Sequence, residues 1–454
     1  MKLVNKPTIT ESVIVLWRFA CAQFANAAVA VGITVAAATP ALHAQDSKSG
    51  VVLGMCYGGG CDVRQRLMVD SVRGAGGDSI RTIIARDLEF SDRFTVVPAA
   101  STPATAGGAL NYPLFASLGV NGVIEASVLP SGWLHVELHD VGLKVIKQKQ
   151  DFALPGTPGG RDWRMALHGI ADGIEEWITG QRGIAQTRIA FVRDGRVWIV
   201  DSDGAGANPV TPRGLSPKWT PNGRAIVYNI VDADASPIMI MDVATGAQRA
   251  LTNLRASVAG DYAPTVTPDG RSILFARQMP EGTDLFSMPV TGGAAHRLTS
   301  GRGRASGSPS VSPDGQRMVF ASDRNGHQEV YIADIDGTNV ELLTQGGVGE
   351  RNWRDSPDWS PDGRTVAYQS GIERGAFQIM TIDVRSQVTK QITSEGRNDD
   401  PSWAPDSRHL VITSTRSNSS QIWVVDAVSG KARQLTRGAG ARMSAWSPRL
   451  TGTP

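Results

Sequence analysis

Beyond residue 186, apolar residues come in short alternating runs cut by polar turns, and the runs return in a fixed order. Examples are Ile273-Leu274-Phe275, Met318-Val319-Phe320 and Val366-Ala367-Tyr368. Each follows a near-copy of one phrase. The copies read Ser216-Pro-Lys-Trp-Thr-Pro-Asn-Gly, Ala263-Pro-Thr-Val-Thr-Pro-Asp-Gly, Ser308-Pro-Ser-Val-Ser-Pro-Asp-Gly, Ser356-Pro-Asp-Trp-Ser-Pro-Asp-Gly, Asp400-Pro-Ser-Trp-Ala-Pro-Asp-Ser and Ser444-Ala-Trp-Ser-Pro-Arg. Their final prolines, Pro221, Pro268, Pro313, Pro361, Pro405 and Pro448, are spaced by 47, 45, 48, 44 and 43 residues. A period of that size marks an array of similar supersecondary units.

Within a unit, Pro presets φ, Asp bonds its own backbone and Gly supplies φ > 0, so Pro-Asp-Gly is a hairpin turn between antiparallel strands. A third strand usually ends in Asp, as in Val197–Asp201, Ile238–Asp242, Val330–Asp334, Ile379–Asp383 and Ile422–Asp426. The copy Leu285–Pro289 ends in Pro instead. A fourth closes on an aliphatic-Thr pair: Leu251-Thr252, Leu298-Thr299, Leu343-Thr344, Ile392-Thr393 and Leu435-Thr436. Four short strands per period are a β-propeller blade, and there are six. The Gly-His and Trp-Asp signature of ordinary WD40 blades is absent. The first unit opens on its second strand at Arg188, and the last phrase, around Trp446, is an inner strand without successors. The C-terminal strand is therefore expected to complete the first blade, leaving few open sheet edges.

Residues 45–185 lack the repeat. Asp78 or Ser79 is placed to cap a helix carrying Ile80, Ile83, Ile84 and Leu88. Phe94–Val97 reads as a strand, Leu114–Leu118 as a short helix, and Val123–Val128, Trp133–Val141 and Leu143–Phe152 as a meander. A last helix starts with Asp162 as cap and stops at Gly180. The expected organisation is a signal peptide (1–44), a small α/β domain with an extended N-terminal arm (45–185) and an all-β six-bladed propeller (186–454).

The N-terminal stretch has Lys2, Lys6 and Arg18, then a small-residue apolar run from Phe19 to Ala41, and Leu42-His43-Ala44 before Gln45. That is an export signal with cleavage expected after Ala44. A membrane anchor fits less well, because Gln23, Asn26 and Pro40 interrupt the run. Arg18 and Phe19 before Cys21 do not make a lipoprotein signal. Cleavage leaves Cys56 and Cys61, which an oxidising compartment allows to pair across their Tyr-Gly-Gly-Gly loop. Of 454 residues, 50 are Gly and 25 Pro, which suits a turn-rich β protein. A net charge of +2 gives no case for nucleic acid or an anionic membrane.

Candidate chemistry is sparse. His168 and Asp172 lie four apart on the last helix, where a solvated or interdomain hydrogen bond is the expected role. His135 and His139 share a strand face at ligand-compatible spacing, without a third ligand nearby in sequence. Asp334-Ile-Asp-Gly and Asp201-Ser-Asp-Gly resemble calcium-loop fragments but lack the full spacing and the later Glu, so turns are expected. The glycine-rich stretch 301–307 has no strand-to-helix context for phosphate. No Gly-x-Ser-x-Gly elbow occurs. No catalytic residue, cofactor or metal is assigned, and a monomer is expected.

The remaining candidate is a surface. The loops entering the inner strands converge on one rim of the channel: Gly260, Asp261, Tyr262 and Ala263; Arg304, Ser306, Gly307 and Ser308; Arg351, Asn352, Trp353, Arg354 and Asp355; Arg397, Asn398 and Asp399; Arg442. Their mix of Arg, Asp, Tyr and Trp suits a protein-binding patch.

The order of features resembles the TolB family of periplasmic propellers from the Tol-Pal envelope system. The resemblance spans nearly the whole mature chain. Its specific parts are the junction His168-x3-Asp172-x6-Thr179-Gly-x2-Gly183-x3-Thr187-Arg-Ile-Ala190 and the ending Ala445-Trp-Ser-Pro-Arg-Leu450. It implies a periplasmic, non-enzymatic part in outer-membrane integrity and in coupling envelope constriction to cell division. It implies that the rim binds a Pal-like peptidoglycan-associated lipoprotein and that the arm at Gln45, Asp46, Ser47 and Lys48 contacts a TolA-like inner-membrane protein. The opening Val51-Val-Leu-Gly-Met-Cys departs from the family's acidic first strand. Two other readings remain. One is a propeller-scaffolded hydrolase or lyase, against which the Ser-, Thr- and Trp-rich inner strands speak. The other is a peptidoglycan- or sugar-binding propeller, against which repeated core packing of Trp219, Trp359, Trp403 and Trp446 speaks.

Overall fold

A computed structural model describes residues 64–98, 105–106, 109–232, 236–252, 260–301, 304–345, 353–371, 376–438 and 440–450. The export segment, the arm at Gln45–Lys48, the Cys56/Cys61 pair, and Arg351 and Asn352 lie outside the described residues.

The first part is a five-stranded mixed sheet. Its strands are β1 (Gln65–Val69), β2 (Phe94–Val96), β3 (Gly122–Val128), β4 (Leu134–Asp140) and β5 (Val145–Phe152), in the spatial order β2-β1-β3-β4-β5. β1 runs parallel to both neighbours, and β3, β4 and β5 form the antiparallel meander. Helices α1 (Gly77–Phe90) and α3 (Arg161–Thr179) cover one face, burying Ile80, Ile84, Leu88, Leu167, Ile170 and Ile174 against Leu134, Val136 and Leu138. The short helix α2 (Tyr112–Ser117) covers part of the other face through Phe115.

Both helix starts differ from the sequence expectation. Gly76, in the left-handed region, caps α1 in place of Asp78 or Ser79, and Gly160 caps α3 in place of Asp162. Asp78 and Asp162 sit inside the first turns, where the N-terminal end of the helix dipole favours a carboxylate without a capping bond. Gly180 ends α3 in the left-handed region.

Residues from Arg188 onward form six four-stranded sheets. The inner strands are Leu215–Trp219, Asp261–Val266, Ser306–Val311, Arg354–Trp359 and Asn398–Trp403 for blades two to six. The inner strand of blade one is Arg442–Trp446, paired antiparallel to Arg188–Arg193. The chain's end thus closes the ring on its own first blade.

The repeat phrase has a local explanation at each position. In Ser312-Pro-Asp-Gly, the Gly315 N–H donates to the Ser312 carbonyl, Asp314 accepts from the Gln316 N–H, and Gly315 has φ 71°. The Thr of the closing pair is a latch: Thr211, Thr252, Thr299, Thr344, Thr393 and Thr436 each accept one backbone N–H of their third strand at 2.9–3.0 Å. Four of these hydroxyls also donate to a buried carboxylate or amide, such as Gln378 for Thr393. Thr393→Val keeps the volume but strands the buried Ile379 N–H, so a loss of about 1–3 kcal/mol is expected in chemical denaturation.

The residue before the first proline of the phrase is left-handed in every blade: Ser216, Ala263, Ser308, Ser356, Asp400 and, where Ser replaces Pro, Met443, all with φ between 48° and 54°. At the same place each inner strand slips register against its neighbour. This is a bulge that turns the strand toward the axis. The bulge residues and their prolines line a central cavity of about 230 Å³. Trp219, Trp359, Trp403 and Trp446 are 5–7% exposed and packed in the clusters between neighbouring blades, so they offer no platform for sugar.

Candidate protein-binding site

Each inner strand runs from its entry loop to its Pro-Asp-Gly turn, so the two ends of the propeller are chemically distinct. The α/β domain meets the turn end of blades one and six. Asp203, in the turn after the third strand of blade one, accepts from Arg86 (2.7 Å) and Arg164 (2.8 Å). Arg433 lies 4.3 Å above the Phe90 ring. Lys431 reaches Asp92 at 2.7 Å, and the Arg408 guanidinium donates to the Asp92 carbonyl.

His168 belongs to this junction. It is fully buried, with Nδ1 2.6 Å from Asp87 and Nε2 3.6 Å from Asp203. Burial opposes its charge, but the two carboxylates outweigh that and raise its pKa. Asp172 accepts the Ala185 and Gln186 N–H groups at 2.7 and 2.9 Å; burial still lifts it to about 6. These two residues fasten the domains together.

The sequence missed His409. It is 0% exposed and stands between Asp406 (2.7 Å) and Asp92 (3.3 Å). Burial works against the imidazolium, but the hydrogen bonds to both carboxylates prevail and hold its pKa at about 9. One signal was present. Blade six reads Ala-Pro-Asp-Ser where four others read Ser/Thr-Pro-Asp/Asn-Gly, and in that departing turn Asp406 accepts from His409.

Among the described residues none of the α/β domain is bonded to the entry-loop end, and the residues there divide in two. Asp261, Ser306 and Asn398 are 0% exposed. Asp261 is clamped by Arg277 at 2.7 and 3.0 Å, Ser306 pairs with Ser322, and Asn398 donates to Gln378 and the Glu395 carbonyl. As buried blade contacts they present no surface to a partner. Arg304, Arg397 and Arg442 are exposed, while Gly260, Tyr262, Ala263, Gly307, Ser308, Trp353, Arg354, Asp355 and Asp399 are half-buried. Arg397 pairs with Asp399 at 2.8 Å and lies 4.7 Å from the Phe377 ring centroid, and Arg354 is held by Glu329. Ser308 donates to Asp355 at 2.9 Å across blades four and five.

Inside the mouth, Lys218 of blade two and Asp358 of blade five meet at 3.0 Å across the axis. Asp358 also accepts the Trp403 N–H at 2.8 Å, which fixes its carboxylate. Asp400 is raised to about 6 by burial, then by Asp399 and Asp355. The channel is thus ringed by bulged backbone, with one ion pair reaching across it. At the described ends of the glycine-rich stretch the backbone donors are engaged: Asp284 accepts the Gly301 N–H, the Gly301 carbonyl the Arg304 N–H and Asp323 the Ala305 N–H. Asp334 and Asp336 bond their own turn through Asn339 and Thr338.

A closed propeller of Pro-Asp-Gly blades, with an α/β domain on one end and an open rim on the other, defines a PD40-type propeller protein. Residues 175–450 match the family described as the TolB beta propeller domain. The chain belongs to the TolB family. The Tol-Pal system protein TolB of Gluconobacter oxydans is 32% identical over 398 residues, covering 73% of this chain and 84% of that protein. The protein of the same name from Polaromonas sp. strain JS666 is 34% identical over 188 residues, a stretch that spans 39% of this chain and only 43% of the relative. The crystal structure of TolB from Acinetobacter baumannii shares the fold, with a TM-score of 0.75 at 23% identity, over 85% of this chain and 97% of that one.

Proposed function

We propose that this chain is an exported, non-enzymatic binding component of a Tol-Pal envelope complex, and that its entry-loop rim holds a Pal-like peptidoglycan-associated lipoprotein. The observation that carries this reading is the division of the two ends. The turn end is occupied by the α/β domain, whereas the opposite rim carries Arg304, Arg397 and Arg442 exposed around half-buried Tyr262 and Trp353. Exposed cations around aromatic anchors suit a polar protein surface with acidic groups. The export signal read at 1–44 supports a periplasmic location, and in this reading the arm Gln45–Lys48 is the contact for a TolA-like inner-membrane protein. Through these two contacts the chain serves outer-membrane integrity and the coupling of constriction to division.

The test is a pull-down and titration of the mature chain with the Pal-like lipoprotein of the same cell, with and without residues 45–50. Arg397→Glu combined with Arg442→Glu is expected to weaken binding at least about tenfold, mostly through slower association at low salt. Removal of the arm is expected to leave this affinity unchanged. No binding by the wild-type chain overturns the reading, and full affinity in the double variant moves the site off this rim.

A further inference from the structure

We propose that Glu125, Glu137 and His139 bind a divalent transition-metal ion, zinc by preference, on the outer face of the α/β sheet. The three come together only through strand pairing. Glu125 on β3 stands directly opposite Glu137 on β4, with His139 two residues further along the same face, opposite Val123. Two carboxylates facing each other across an antiparallel pair repel, so the arrangement calls for a cation.

His139 is 4% exposed, and its Nε2 points between the two carboxylates, 3.1 Å from Glu125 Oε2 and 3.4 Å from Glu137 Oε2. Neither approach has hydrogen-bond geometry, and Nε2 is a buried atom without a hydrogen-bond partner. The other ring nitrogen, Nδ1, lies 2.9 Å from Tyr112 Oη. In the tautomer that donates from Nδ1 to Tyr112, Nε2 keeps its lone pair, and with the two carboxylates it faces one common point where a metal ion would sit. This is how a ligating histidine is ordinarily oriented.

The spacing agrees. Ligand atoms about 2.0–2.1 Å from a tetrahedral zinc stand roughly 3.3–3.4 Å apart. All three ligand atoms here lie within 4.8 Å of one another.

The surrounding groups brace the same arrangement. His135 Nε2 approaches the second oxygen of Glu137 at 3.1 Å, and His135 Nδ1 approaches Asp151 at 2.5 Å. The pair turns Glu137 Oε2 toward His139. Glu125 and Glu137 keep about a fifth of their side-chain surface exposed, 19% and 21%, which opens the fourth position to water. One imidazole with two carboxylates and a water is a borderline donor set, suited to zinc above calcium or magnesium. The His135–His139 pair noted in the sequence is not the ligand set: His139 is joined by Glu137, which lies between them, and by Glu125 on the neighbouring strand, while His135 bonds Asp151 and Glu137.

The test is a calorimetric titration of the chelator-treated mature chain with zinc chloride, repeated with cobalt to read the ligand field by absorption. One equivalent is expected, with a rise in unfolding temperature that chelator reverses. Glu125→Gln and Glu137→Gln keep volume and exposure, and each is expected to weaken binding at least about tenfold while circular dichroism stays unchanged. The Cys56→Ser, Cys61→Ser double variant is expected to bind as well as wild type. Absence of binding at millimolar zinc, undiminished binding in both glutamine variants, or loss of binding in the double serine variant overturns the proposal. An amide variant that loses its circular dichroism is replaced by His135→Gln, which sits outside the trio and is expected to weaken zinc by a smaller factor. Unchanged affinity there as well overturns it.

Discussion

A chain that stops at Gly440 is expected to accumulate as aggregate, because it lacks the inner strand of blade one. Arg442–Trp446 fills the place between Arg188–Arg193 and the channel. Trp446 packs among Ile189, Phe191, Ala404 and Val411 and donates its indole N–H to Thr187 at 2.8 Å. The residues just past the strand tie it down further: Ser447 accepts the Arg188 N–H, and the Arg449 guanidinium donates to the carbonyls of Arg182, Gly183 and Pro405. Without the strand, the Arg188–Arg193 edge is bare and apolar, the kind of edge that recruits other chains. The single change Trp446→Ala is expected to cost about 3–5 kcal/mol, a large fraction of a stability on the order of 5–15 kcal/mol. Urea denaturation followed by fluorescence and circular dichroism reads the point variant, and sedimentation reads the truncation. A truncated chain that stays monomeric and melts like wild type would show that the ring does not need its closing strand.

His409→Leu is the second large effect, and it carries a pH signature. The imidazolium is sealed between Asp92 of the α/β domain and Asp406 of blade six. Its removal leaves two buried carboxylates short of a partner, although Lys431 still reaches Asp92. A loss of about 3–5 kcal/mol is expected near pH 6. The folded pKa of about 9 stands above the ordinary 6.5, so this stabilisation is complete below about pH 6.5 and disappears as pH rises to about 9. Its full size is on the order of 3 kcal/mol.

Glu175 acts in a lower window. Burial raises its pKa to about 7, so folding favours its protonated form and stability falls between about pH 4.5 and 7. Wild-type stability declines through both windows; His409→Leu is expected to lose most of the decline from pH 7 to 9, with His168 keeping a share, and to retain the lower one, to which Asp172 and Asp400 also contribute. Denaturation midpoints across pH 5 to 9 decide this. An unchanged upper slope in the variant would mean that His409 is not charged in the folded protein.

The site was legible in part. The rim loops could be found because the repeat fixes where each inner strand begins. Which rim residues face outward could not, since Asp261 and Arg397 look alike as charged loop residues. Arg277, sixteen residues further along on the paired strand, takes Asp261 into the blade. Arg397 bonds its own neighbour, Asp399, and stays at the surface.

The amino-acid sequence by itself determined the six blades, their turns and the closing strand, because turn chemistry and strand alternation act over a few residues and repeat with them. Only the tertiary structure decided what the polar residues do. His409 meets Asp92 across 317 residues, Lys218 meets Asp358 across 140, and Glu125 meets His139 only because β3 and β4 pair in one register. A buried charge takes whichever partner the packing of elements brings within about 3 Å. That choice belongs to surfaces that exist only once the chain has folded.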